Sequence, residues 1–319
     1  MVQLREKRVT QTCPLCREPL PPGPDKLFDL GWRIYAKIMA VVDPNNAGQA
    51  VWENLSLTPA QHRGMDQGRA LLVEAAAQGH MDAQALCGTV YDCGHGVVED
   101  ARLAFVYHEK AAQQGYALSQ YNGGVHYHHG LGCEQSYERA AKWFEKAARQ
   151  GYANAMSSLG ACYFNGMGVP KSAKRAFELF QQSMALGCTH HVLHFNLGQC
   201  HDLGLGAAKD YQEARRFYAL ASAQGDSQAT TKLNLLDEKI RTECPLLGKR
   251  VVITGTSRED LNGRTGVATS FDHSGDRYVV ELDDNTGKAD PAVSPSVSPP
   301  RQMRVCDKLC KVAAYGHVQ

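Results

Sequence analysis

Between Ala70 and Ile240, small and apolar residues recur at helical spacing, and the pattern itself recurs. The stretch Asp82 to Asp92 sets Ala83, Cys87, Gly88 and Tyr91 on one side of a short helix, and the same stripe returns as Ala155, Leu159, Gly160 and Tyr163. A second helix follows each first one. In it Ala104, Ala140, Ala176 and Ala214 are followed three and four positions later by Tyr107/His108, Trp143/Phe144, Leu179/Phe180 and Phe217/Tyr218, a buried stripe of one small and two large residues. Glycines keep the same beat: Gly79, Gly115, Gly151, Gly187 and Gly225 stand 36, 36, 36 and 38 residues apart. The pairs Gly94/Gly96, Gly130/Gly132, Gly166/Gly168 and Gly204/Gly206 keep it too, and independent ladders of one period define a repeat architecture.

The pattern predicts where each helix starts and stops. Asp100, Ser136, Ser172 and Asp210 are N-cap residues for the second helices, which end at the glycine of Ala-Ala-Gln-Gly runs. The interior glycines Gly88, Gly124, Gly160 and Gly198 each cost about 1 kcal/mol against alanine, so four in register predict a neighbouring helix crossing at close range. The fourth repeat departs from the others. Two residues are added between Gly187 and Leu197, and His201 stands where the others carry tyrosine.

Outside the repeats, Asp25 to Val42 reads as an amphipathic helix docked on the next one, and Asp43 to Gly48 breaks it. Thr58-Pro59 opens a helix that runs to Gly79 as the second helix of a degenerate first repeat, while Ser227 to Ile240 reads as a lone first helix closing the array. After Cys244-Pro245 the period becomes alternating. Arg250–Thr254, Gly266–Phe271 and Arg277–Leu282 read as strands, with Met303 to Val312 as a closing strand beyond the Pro/Ser-rich stretch Pro291 to Pro300. The resulting outline is 1–24, an N-terminal cysteine motif; 25–66, a helical linker; 67–243, the repeats; 246–288, a small β module; 289–302, a linker; and 303–319, a tail. A boundary near Leu246 predicts that the β module separates from the helices.

The runs Tyr152–Gly168 (YANAMSSLGACYFNGMG) and Ala140–Gly151 (AAKWFEKAARQG) resemble the Sel1-like repeat, a relative of the tetratricopeptide repeat. The resemblance implies a mainly α fold, a right-handed α-solenoid of about four helix-turn-helix repeats. It further implies a scaffold for protein binding and no chemistry of its own. The segment LNGRTGVATSFDHSGDRYVVELDD resembles small Tudor- or KOW-like domains, which implies a C-terminal β-barrel-like module.

On the first helices, the side opposite the Leu-Gly position carries Ala85, Thr89 and Asp92, then Tyr121, Val125 and His128, then Ser157, Ala161 and Phe164, then Phe195, Gln199 and Asp202. Aromatic residues are common interface anchors. Tyr121, Val125, His128, Phe164, Phe195 and Gln199 are therefore the candidate binding residues for a protein or peptide.

Composition narrows the partners. Lys and Arg number 34 against 33 Asp and Glu, a net charge of +1 that gives no general pull toward nucleic acid or anionic lipid. The start, MVQLREKRVTQTCPLC, has no apolar signal core, and no apolar run is long enough to span a bilayer, so a soluble, cytoplasmic protein is expected. Eleven scattered cysteines fit reduced thiols better than a disulfide scaffold.

Candidate chemistry is sparse. Cys13-Pro14-Leu15-Cys16-Arg17 resembles the last ligand pair of a RING finger, the zinc module of many ubiquitin ligases. A RING needs eight ligands, and the twelve residues before Cys13 hold neither Cys nor His. Zinc is thus expected there only if ligands stand further upstream, and no other cofactor is expected. The alternative function is the substrate-binding part of a RING-type ubiquitin ligase. Cys188, His190 and His194 form a second weak metal constellation, with His190 and His194 four residues apart. In the group His126/His128/His129 neighbouring positions point in different directions on a helix, and Cys306/Cys310 could join Cys13/Cys16 only if the chain ends met. Gly248 to Ser257 has a dehydrogenase-like opening, but Glu259 and Leu261 occupy the positions of the required glycines. With no serine, cysteine or carboxylate in a recognisable catalytic setting, the sequence reads as a non-enzymatic scaffold.

Overall fold

The computed structural model describes residues 22–42, 58–254, 263–272, 277–282, 302–306 and 311–314. Among the described residues, two helices precede the repeats, α1 (Pro24–Val42) and α2 (Pro59–Ala77). The repeats supply α3 (Met81–Cys93), α4 (Ala101–Gln113), α5 (Ala117–His129), α6 (Tyr137–Arg149), α7 (Ala153–Asn165), α8 (Ala173–Ala185), α9 (His191–Leu203) and α10 (Tyr211–Ala223). A further helix, α11 (Ser227–Glu243), leads to strands β1 (Arg250–Thr254), β2 (Thr265–Asp272), β3 (Arg277–Leu282), β4 (Gln302–Cys306) and β5 (Lys311–Ala314). The chain divides into two compact units, Met1–Ala155 and Met156–Gln319.

Helix boundaries follow side-chain chemistry. Asp100, Ser136, Ser172 and Asp210 each accept a hydrogen bond from the backbone N–H three residues on, so all four predicted caps are in place. Thr58 and Gln61 form a reciprocal capping box at the start of α2. The interior glycines meet the predicted close neighbour, and it is a ring. A Cβ on Gly88 would lie 2.6 Å from the His108 imidazole; on Gly124, Gly160 and Gly198 it would lie 2.6 Å from Phe144, Phe180 and Tyr218. Each first helix gives up a side chain so that the large residue of its partner helix can be seated against bare backbone.

A second device joins successive repeats. The C-cap residue Gln114 donates from its side-chain amide to the Gly79 carbonyl at 3.0 Å and to Gln84 Oε1 at 2.7 Å. Gln150 does the same to the Gly115 carbonyl (2.9 Å) and Gln120 Oε1 (2.8 Å). In the fourth repeat Gln224 donates to the Thr189 carbonyl at 3.0 Å and meets His194 Nδ1 at 3.2 Å. The acceptor has moved from the C′ glycine to Thr189, and the sequence separation stays 35 in all three rungs. The two added residues are thereby absorbed between Gly187 and the start of α9, and the repeat beyond them keeps its register. At the corresponding position α8 ends on Leu186.

In the first unit, α1 docks on α2 as its amphipathic pattern predicts. Leu27 and Tyr35 join Met65, Leu72, Ala75, Ala76, Ala83, Cys87 and Val90 in one core, and the Gly31 and Gly68 backbones approach each other closely. In the second unit, one core holds Tyr211, Ala214 and Tyr218 of α10, Leu236 of α11, and Cys244 together with Val251, Ala268, Tyr278, Val280 and Leu282 of the sheet. The division near Leu246 suggested by the change of period therefore runs through a shared core. Strand alternation shows which face is apolar, and here helices rather than a second sheet cover it.

The sheet is antiparallel, in the order β4-β3-β2-β1-β5, with a bulge between Ala268 and Ser270. Among the described residues the outer strands β4 and β5 do not pair with each other, so the expected barrel-like module is an open sheet. The stretch expected to supply one closing strand supplies two, on opposite edges. Val280 pairs with Met303 on one side, and Ile253 pairs with Val312 on the other.

Candidate functional site

Two features of the first unit stand out chemically. The first is an apolar groove of about 280 Å³ lined by Phe28 and Trp32 of α1, Asp82, Ala85, Leu86 and Thr89 of α3, and Tyr116 and Leu118 at the start of α5. Trp32 is 45% exposed and Leu118 36%. Phe28 stacks on His80, ring centroids 4.4 Å apart, so one wall is preset by packing. Ala85 and Thr89 belong to the first-helix face singled out above; Trp32 joins them from outside the repeats.

The second feature is a polar cluster that helical spacing does not reveal. Asp92 on α3, His108 on α4 and His126 on α5 bring one ligand atom each within 4.8 Å of one another, the single such trio among the described residues. His108 Nε2 lies 3.0 Å from Asp92 Oδ2 and His126 Nε2 lies 3.0 Å from Asp92 Oδ1. The His108 and His126 side chains are 0% and 2% exposed, whereas Asp92 keeps 27%. His126 Nδ1 is 2.8 Å from the Leu131 carbonyl, and His108 Nδ1 is 3.3 Å from Ser119 Oγ. Burial works to raise the Asp92 carboxyl, but hydrogen bonds from both imidazoles outweigh it and hold the group at about 2. For His126, burial favours the neutral ring, and the bonds to Asp92 and to Leu131 overcome it and raise its pKa.

The sequence-predicted residues fall out differently. Tyr121 is half-buried, its ring 5.9 Å from Phe144 and 5.3 Å from Tyr152. Val125 and Gln199 are half-buried. Phe195 packs against the core of the second unit, 5.8 Å from Tyr218. Phe164 is buried beside Phe180 and is a core residue rather than a groove anchor, because its side chain fills the space that the turn of the helix leaves over the second-helix ring. His128 lies edge-on to His129 and Tyr137, its Nδ1 buried without a hydrogen-bond partner, and burial with the neighbouring His129 lowers its pKa.

Cys188, His190 and His194 do not converge. Cys188 is buried, His190 Nδ1 caps α9 by accepting from the Val192 N–H, and His194 Nδ1 is taken by Gln224. Of the group His126/His128/His129, only His126 enters the Asp92 cluster. Cys13, Cys16 and Cys310 lie outside the described residues. No described helix is long and apolar enough to cross a membrane.

The sequence profile of the Sel1 repeat matches residues 82–116, 117–152, 153–188 and 193–226. A Sel1 repeat protein from Oxalobacter formigenes is 32% identical over 55% of this chain and 71% of its own, with a TM-score of 0.45. The chain belongs to the Sel1 repeat family. The protective antigen c5321 of uropathogenic Escherichia coli, which displays an SLR fold, is 23% identical over 69% of this chain and 50% of its own (TM-score 0.45). Cysteine-rich protein B of Helicobacter pylori is 23% identical over 38% of this chain and 91% of its own (TM-score 0.31). No curated protein matches the chain. Sel1 repeat proteins are generally protein-interaction scaffolds without catalytic activity.

Proposed function

We propose that this chain is a non-enzymatic scaffold that holds a protein or peptide partner on the first-helix face of its repeats, with the groove of α1, α3 and α5 as the anchoring point. One observation carries the reading: Trp32 and Leu118, large apolar side chains that the packing of the repeats does not consume, flank a groove floored by the small residues Ala85 and Thr89. A groove of that size admits one or two apolar side chains, and Asp82 at its edge favours a partner with a basic residue beside them. Tyr121 and Val125, half-buried on the same face of the next first helix, extend the contact surface in this reading. The ubiquitin-ligase alternative rests on Cys13 and Cys16 alone and would need zinc ligands beyond them.

Selection from a displayed peptide library against the full-length chain tests the proposal. The enriched peptides should share an apolar anchor. Their affinity should fall at least about tenfold with Trp32→Ala and with Thr89→Arg, while circular dichroism stays that of the parent. Peptides that bind both variants as well as the parent would place the site elsewhere, and sensitivity to Tyr121→Ala alone would place it on α5.

A further inference from the structure

We infer that Asp92, His108 and His126 form a binding site for one divalent transition metal ion of the zinc class, pinning three helices of the first two repeats together. Hydrogen-bond bookkeeping makes the case. The Leu131 carbonyl can only accept, so His126 Nδ1 must carry the proton of a neutral ring, which leaves Nε2 with a bare lone pair. That lone pair points at a carboxylate oxygen 3.0 Å away, which also has only lone pairs to offer. Either a second ring proton, making the ring an imidazolium, or a metal ion has to lie between them. His108 Nε2, which Asn122 Nδ2 also approaches at 3.3 Å, lies 3.0 Å from the same carboxylate, so one donor atom each from α3, α4 and α5 falls within 4.8 Å of the others.

Three further observations favour a metal ion over protons alone. Two imidazoles and a carboxylate are a common donor set for divalent zinc, iron and cobalt. Donor atoms each about 2.0–2.1 Å from such an ion sit roughly 3.3 Å apart in a tetrahedral site, so the two imidazole–carboxylate separations of 3.0 Å need an adjustment of a few tenths of an ångström, while the two imidazole nitrogens, within 4.8 Å of each other, close onto the ion by small rotations of their rings. The outer contacts are those that orient ligating histidines, with Nδ1 of one ring on a backbone carbonyl and Nδ1 of the other on the Ser119 hydroxyl.

The repeats supply an internal control. The position of Asp92 is held by His128, Phe164 and Asp202 in the other three repeats, and that of His108 by Phe144, Phe180 and Tyr218. In the third repeat the pair is Phe164 with Phe180, both buried, so the fold closes this junction without any polar group. Burying an aspartate and two histidines where phenylalanine suffices is unfavourable unless the groups are fully compensated, and a bound ion compensates all three. Three protein ligands leave a coordination position for water, on the side where Asp92 remains 27% exposed.

Isothermal titration of the metal-free, full-length Cys13→Ser/Cys16→Ser chain with zinc chloride tests the site without interference from the N-terminal thiols. One equivalent should bind, and Asp92→Asn and His126→Gln should each weaken binding at least 100-fold with the helical circular-dichroism spectrum retained. Cobalt(II) gives a readout that does not depend on the variants folding. The parent chain should show the visible absorption of a nitrogen/oxygen-ligated ion without thiolate-to-cobalt charge transfer, and zinc should displace it. No stoichiometric binding would mean that protons alone hold the cluster. Binding unchanged in both variants, or a thiolate charge-transfer band, would place the ion elsewhere. Any of these outcomes overturns the assignment.

Discussion

The Asp92 junction and the Phe164 junction are built at the same place in two repeats, yet their interiors are opposites. At both, a glycine of the first helix (Gly88, Gly160) lets a ring of the second helix (His108, Phe180) come within 2.6 Å of where a Cβ would be. Above that ring the first junction places a carboxylate and a second imidazole, and the third places Phe164. The backbone asks only for a flat ring against a glycine. Polarity at the first junction is therefore an addition to the fold and not a requirement of it.

The largest break in that comparison should come from Phe180→Ala. The side chain is fully buried, and its removal should cost about 3–5 kcal/mol in urea unfolding of the second unit. A loss under about 1 kcal/mol would mean that the ring is not what the glycine makes room for. Next come Gly160→Ala and Gly88→Ala. Alanine returns about 1 kcal/mol of helix propensity, but a methyl group 2.6 Å from a buried ring must displace it, for a net loss of about 2 kcal/mol in each. Unequal losses would show that the imidazole and the phenyl ring are not held alike.

The fourth repeat offers a milder polar version. Asp202 accepts from Lys239 Nζ at 3.0 Å and lies 3.5 Å from the Tyr218 hydroxyl, and these two groups between them offer a proton for every close contact it makes. The Lys239 side chain is one-third exposed, so Asp202→Asn should cost only about 1 kcal/mol, read as a shift in the urea midpoint at constant slope. The smallest effect expected is His108→Phe, which copies the residue of the second and third repeats at that position. In chelator the change should stay within about 1 kcal/mol, while the rise in melting temperature that zinc gives the parent should disappear. A large loss in chelator would mean that the polar cluster stabilises the fold by itself.

Much of this was legible in the sequence because repeats expose their own rules. Caps such as Asp100 and Ser136 and the close approach at the interior glycines follow from residues that recur in register. The Asp92 cluster was not legible by motif, since its members lie on three helices and no fixed spacing joins them. Its one signal was an exception in a ladder, histidine at a position where two other repeats carry phenylalanine. The groove was hidden for another reason: Trp32 comes from α1, whose docking angle no periodicity specifies. In the β region the strands could be read, but their cover could not. Alternation in Arg277–Leu282 marks Tyr278, Val280 and Leu282 as one face without naming α10 and α11 as what lies on it.

The glutamine rungs carry a consequence for how such chains change length. Because the third rung keeps its span by taking Thr189 in place of Gly187 as acceptor, the segment after the C′ glycine works as an expansion joint: chain is added there, and the contact simply re-forms on the new residue two places on. The fourth repeat, two residues longer than the others, is built on that joint. A protein engineer seeking a place to splice in a fluorophore tag or an epitope would find the same seam after Gly79 and Gly115, where the acceptor is again a backbone carbonyl that any amino acid supplies.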